Sequence, residues 1–195
     1  MYDREFGKSL LEKYLGREQL QKRKEHSLGV AEFAFKVALQ IKKRNPELTD
    51  FDPEFVGFLG YVHDIGYSTA NNKHEVHTID ILTKEEGIPY NVARMVMHGQ
   101  LAEQFGEKEG DAEKYLPVGL EGMILTYADM SVRTGDPTPI RHRAEEIASR
   151  IQSNPAMSAQ LKQEIIDGLQ KALPRFEKYE RIVLALAGVR SVNDF

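Results

Sequence analysis

An unbroken apolar run, Phe55-Val56-Gly57-Phe58-Leu59-Gly60-Tyr61-Val62, leads straight into His63-Asp64. Asp52-Pro53 ahead of it supplies an N-cap and a proline at the first helical position. The stretch therefore reads as a helix over about 53 to 64, with Gly66 as its stop. A helix that is apolar nearly all round belongs at the centre of a fold, so the rest of the chain must wrap around it. The doublet then sets two ionisable groups at the end of a buried helix, where they are costly unless something pairs them. A metal ion would do so.

Helical spacing dominates the remaining sequence, and β-branched residues rarely alternate with polar ones. A short helix is expected over roughly 7 to 21. A long one is expected over about 22 to 44, with Leu28, Ala31, Phe35, Ala38, Leu39 and Lys42 as its apolar stripe. Ser68, Thr69, Asn71 and Asn72 mark a loop. Helices follow from about His74 to Glu86, closed by Gly87, and from Pro89 or Asn91 towards His98. Residues 100 to 116 are polar and acidic and read as a long loop, a candidate lid or rim. A helix from Pro117 to Asp129 precedes a break at Gly135-Asp136-Pro137. Charged helical segments then cover about 139 to 152 and from Asn154-Pro155 to about 187, the last kinked near Pro174. The fold class expected is all-α, one helical bundle over residues 1–195.

The chain has no cysteine, so any metal must be held by imidazole and carboxylate. A net charge of -4 argues against an extended nucleic-acid partner, which needs a basic face. The longest apolar run, Ile182 to Val189, is too short to span a bilayer, and the N-terminus has no signal-like apolar segment. A cytoplasmic protein without a membrane partner is the expectation, and homo-oligomerisation stays open.

The ionisable residues at helix ends or beside apolar faces are His26, His63, Asp64, His74, His98 and Asp129. Histidine and aspartate suit zinc, iron, manganese, cobalt or nickel. The set exceeds the needs of one catalytic ion with open positions and suits two ions with Asp64 as a bridge. Phosphoester hydrolysis at neutral pH needs hydroxide, which a divalent ion supplies by lowering the pKa of water.

The order His26, His63-Asp64, Asp129 resembles that of the HD-domain superfamily of metal-dependent phosphohydrolases. The resemblance is carried by His26-Ser27-Leu28-Gly29-Val30-Ala31, by Leu59-Gly60-Tyr61-Val62-His63-Asp64-Ile65-Gly66 and by Leu125-Thr126-Tyr127-Ala128-Asp129. It covers about 22 to 133; the C-terminal helices, about 139 to 187, carry no assignable motif. The resemblance implies a helical bundle in which His26, His63, Asp64 and Asp129 hold one metal, with His63 and Asp64 at the centre of catalysis. Two-metal members add two histidines, for which His74 and His98 fit. His77 shares a helix face with His74, and the position of the resemblance favours His74.

Many relatives carry a lysine three residues after the doublet's aspartate, where this chain has Tyr67. Lys73, Arg94 and Arg133 are the candidate substrate-binding cations, while Arg141, His142 and Arg143 read as a solvated charged face. The implied activity is hydrolysis of a phosphoester in a small phosphorylated molecule, a nucleotide first, by metal-activated hydroxide. The alternative implied by the same ligand pattern is a di-iron oxygenase acting on a polyol or phosphonate.

Overall fold

Asp52 and Pro53 open the central helix as their chemistry requires. In the computed structural model, which describes residues 2–70, 73–133 and 137–195, the Asp52 carboxylate accepts the Glu54 N–H. This helix, α3, spans Pro53–Val62, and every residue from Val56 to Val62 is buried. Before it come α1 (Arg4–Leu15), capped by Asp3, and the long α2 (Gln21–Arg44). After it come α4 (His74–Asp80), which widens into a π-turn over Ile81–Glu85, and the single-turn α5 (Tyr90–Ala93). Then follow α6 (Leu101–Glu109), α7 (Gly119–Ser131), α8 (Ile140–Gln152) and α9 (Ala159–Ala187). The only extended pairing among the described residues is one bridge between Val132 and Pro137. The fold is an all-helical bundle.

Helices α2, α3 and α7 form its centre. A Cβ at Gly60 would stand 2.5 Å from the Ala31 Cα, so glycine is what lets α3 lie against α2 at this depth. Tyr127, Leu125 and Ile124 of α7 complete the same core and are fully buried.

Several expectations are corrected. The first helix begins at Arg4 and ends at Leu15, because Asp3 caps it; Glu18–Leu20 is a separate 3-10 turn. The buried face of α2 is Val30, Ala31, Phe33, Ala34, Val37, Ala38 and Ile41, whereas Leu39 is exposed and Leu28, Phe35 and Lys42 are only partly covered. The small residues face α3 because the helices approach closely. Residues 100 to 116 are mainly not a loop: Leu101 and Ala102 are buried, giving α6 a packed edge, and Gly110 at φ 70° ends it. Pro174 does not break α9; it is exposed, as is Gln170 one turn earlier, so the carbonyl deprived of its donor faces water. Asn71, Asn72 and the Gly135-Asp136 break lie outside the described residues.

The turn after the doublet is pinned to α4. Gly66 N–H donates to Thr78 Oγ1 at 2.9 Å, and Thr78 Oγ1 donates to the His63 carbonyl at 3.0 Å. A Cβ at Gly66 would stand 2.0 Å from the His74 carbonyl oxygen and 2.7 Å from the Thr78 nitrogen. Backbone cannot yield as a side-chain tip can. Gly66→Ala should cost about 1–3 kcal/mol in denaturant unfolding, the usual size of an overpacking defect, and displace His74 from Asp64.

Candidate metal centre

Four helices and one connecting segment bring six side chains to one point. His26 comes from α2, His63 and Asp64 from the end of α3, His74 from the start of α4, His98 from the segment after α5, and Asp129 from α7. Asp64 is the hub. Its Oδ1 lies 3.0 Å from His74 Nε2, 3.6 Å from His63 Nε2 and 3.9 Å from His98 Nε2. Asp129 faces it from the other side: Oδ1 is 2.8 Å from His26 Nε2 and 3.6 Å from His63 Nε2, and Oδ2 is 3.8 Å from His98 Nε2.

The backbone sets the tautomers. His63 Nδ1 is 2.6 Å from the Gly60 carbonyl and His98 Nδ1 is 2.7 Å from the Val96 carbonyl. A carbonyl only accepts, so both Nδ1 atoms carry the proton. Each Nε2 is left to face the carboxylates, and the His63 Nε2 is buried with no hydrogen-bond partner. A buried, unsatisfied nitrogen aimed at two carboxylates is the arrangement a cation completes.

Electrostatics agree. Burial opposes charge on these groups, yet His63 and His74 outweigh it and hold the Asp64 carboxyl far below the usual range. Burial likewise works against Asp129, but His26 and His63 keep it low. His63 resists burial through Asp64 and Asp129 and is raised to about 9. His98 goes the other way, lowered chiefly by burial, and so favours the neutral form that ligates metal.

Three overlapping triads have ligand atoms within 4.8 Å of one another: His26, His63 and Asp129; His63, Asp64 and His98; His74, Glu75 and His98. The described residues therefore fit a divalent metal. Glu75 was not singled out from the sequence. It is 2% exposed, its Oε2 lies 3.2 Å from His74 Nδ1 without a hydrogen bond, and it joins His74 and His98 in the third triad as a further candidate ligand. Its adjacency to His74 was the available signal. His77 belongs to none of the triads.

The cations fall differently. Lys73 lines the cleft above the centre but is paired to Glu109 at 2.6 Å. Arg94 Nη2 donates to the Glu113 carbonyl and does not line the cleft. Nor does Arg133, which is mostly exposed and pairs with Glu146 at 2.8 Å. The nearest cation is Arg23, one turn before His26 on α2. Its Nη1 is 3.7 Å from Asp64 Oδ2, and its guanidinium lies 3.7 Å over the Tyr67 ring. Tyr67 in turn stacks on His74 at 4.1 Å and 16°. Three residues after Asp64 this chain thus holds an aromatic platform that presents an arginine from another helix.

The cleft, about 800 Å³, opens from the centre between α6, α8 and α9. Arg143 lines it and is 7% exposed, which corrects the solvated face expected there; Arg141 and His142 are exposed.

An uncharacterized protein of Methanocaldococcus jannaschii is 34% identical over 109 residues, 54% of this chain. The match covers 63% of that relative's own length. No solved structure matches the chain significantly. The sequence profile described as the HD domain matches residues 23–132, from the arginine that overhangs Asp64 to just past the last aspartate. That span is more than half the chain and holds the whole constellation, and the chain belongs to the HD-domain family.

Proposed function

We propose that this chain is a metal-dependent phosphohydrolase acting on a phosphoester bond of a small phosphorylated molecule, a nucleotide in the first instance. The observation that carries the reading is the unsatisfied His63 Nε2 among two carboxylates and three further imidazoles, with Arg23 beside one of those carboxylates, Asp64. A bound divalent ion supplies Lewis acidity and makes water a nucleophile at neutral pH.

The protein's own part is orientation and charge. Gly60 and Val96 hold His63 and His98 in the ligating tautomer. His26, His63, Asp64 and Asp129 would hold one ion; His74 and His98, with Asp64 shared, would hold a second. Arg23, fixed by Tyr67, offers a forked donor set to phosphate oxygens beside Asp64. No helix among the described residues is long and apolar enough to cross a membrane.

The test is a screen of metal-supplemented protein against nucleotides, cyclic nucleotides and sugar phosphates, reading phosphate or nucleoside release. Release that disappears in His63→Ala supports the reading. Oxygen consumption on a polyol or phosphonate, with no phosphoester cleaved, would replace it with the oxygenase alternative.

A further inference from the structure

Three arginines stand on one side of the cleft, and only one of them lies at the metal centre. Arg23 is beside Asp64. Arg143 and Arg150 are on α8, two turns apart on one face, and both line the cleft. Burying Arg143 takes its guanidinium out of water, yet its Nε finds no hydrogen-bond partner. Its Nη1 meets Glu146 at 3.2 Å, but Glu146 also serves Arg133, so one carboxylate is divided between two cations. Among the described residues no carboxylate makes an ion pair with Arg150.

Arg150 feels the other two: after partial burial, the fields of Arg143 and Arg23 lower its pKa, against the pull of Glu146. A buried, incompletely satisfied guanidinium and a second arginine that feels its field along the same wall of the cleft make sense around an anion. Of the acids on the cleft's other walls, Glu103 pairs with Arg175 at 2.8 Å, Glu164 accepts from Gln160 and Asp167 accepts from Gln163, while Glu75 lies at the metal centre beside His74.

We infer that Arg143 and Arg150 form an oxyanion subsite that takes a second phosphoryl group of the substrate, beyond the one that Arg23 meets at the metal centre. Seven residues separate Arg143 from Arg150, roughly 10 Å of helix, a longer reach than one phosphate needs. The substrate class is accordingly a compound with at least two phosphoryl groups, joined as a diphosphate or carried separately as a bisphosphate. This rests on the phosphohydrolase reading for the identity of the reacting group, but the subsite can be probed without catalysis.

The experiment is calorimetric titration of the full chain, in the presence of chelator, with inorganic phosphate, pyrophosphate and a nucleoside diphosphate. Pyrophosphate should bind more tightly than phosphate. Arg150→Ala should weaken it about tenfold or more, the usual cost of one charge-assisted contact, and Arg150→Lys should recover part of the loss. Arg150 is exposed, so its variants should fold, and circular dichroism checks that they do. Unchanged pyrophosphate affinity in folded Arg150→Ala overturns the subsite. If pyrophosphate binding depends on Arg150 but no phosphoester is cleaved, the subsite stands and the hydrolase reading falls. If phosphoesters are cleaved and the titration ignores Arg150, the subsite falls alone.

Discussion

Asp64→Asn should empty the metal centre and lower the proposed hydrolysis by more than about a hundredfold, while leaving the helical content intact. The size follows from position. Loss of a residue that merely orients a ligand costs roughly 10–100-fold in metal affinity or activity, and Asp64 is closer in than that. Its Oδ1 is the atom that His63, His74 and His98 all approach, between 3.0 and 3.9 Å. The fold should survive because the histidines can respond. Burial opposes charge on both His63 and His74, an effect that Asp64 and Asp129 outweigh at His63 and that Glu75 and then Asp64 counter at His74. With the amide in place they lose protons instead of remaining as uncompensated buried charges, so the cost should stay below the 3–5 kcal/mol of a broken buried ion pair. Elemental analysis beside far-ultraviolet circular dichroism measures both halves. A folded variant that keeps its metal and activity would remove Asp64 from the centre of the mechanism.

The central helix was readable because two local signals agreed: Asp52-Pro53 fixes where it begins, and an all-round apolar composition says how deep it lies. The six site residues stood out because ionisable groups are rare beside such segments. What escaped the sequence depends on tertiary neighbours. The α2 stripe was misplaced because alanines, weak in any hydrophobic pattern, take the inner face where Gly60 admits them. Residues 100 to 116 look polar, and only Leu101, Ala102 and the contact with α9 make a helix of them. Arg143 hid within a charged segment, since its burial comes from the cleft and not from its sequence neighbours. Ile140, Arg143, Ala144, Ile147, Arg150 and Ile151 do share one helical face, and that spacing was the signal available. Tyr67 read as a departure from the family pattern. In space it is the seat on which Arg23 rests.

The protein as purified with metal should carry about two ions per chain, and His74→Ala should reduce this to about one. The triads divide unevenly: His26, His63 and Asp129 do not involve His74, whereas the group at the other end does. Removing that imidazole should therefore spare one ion, a result that simple misfolding would not produce. A single ion in the wild-type chain, unaffected by His74→Ala, would defeat the two-ion arrangement. Chelation should also lower thermal stability, because whatever binds only the folded state stabilises it. The stripped protein should lose stability as well when made alkaline. His63 is raised from 6.5 to about 9 on folding, so the stability its proton contributes is full below about 6.5 and gone once the pH passes about 9. Asp64 and Asp129 are depressed, so their contribution is present above about 4 and lost only in acid. A bound cation takes over the role of the His63 proton against the same two carboxylates. Metal-loaded protein should hold its Tm between pH 7 and about 9 while chelated protein falls, and parallel curves would mean that the cation does not sit at His63.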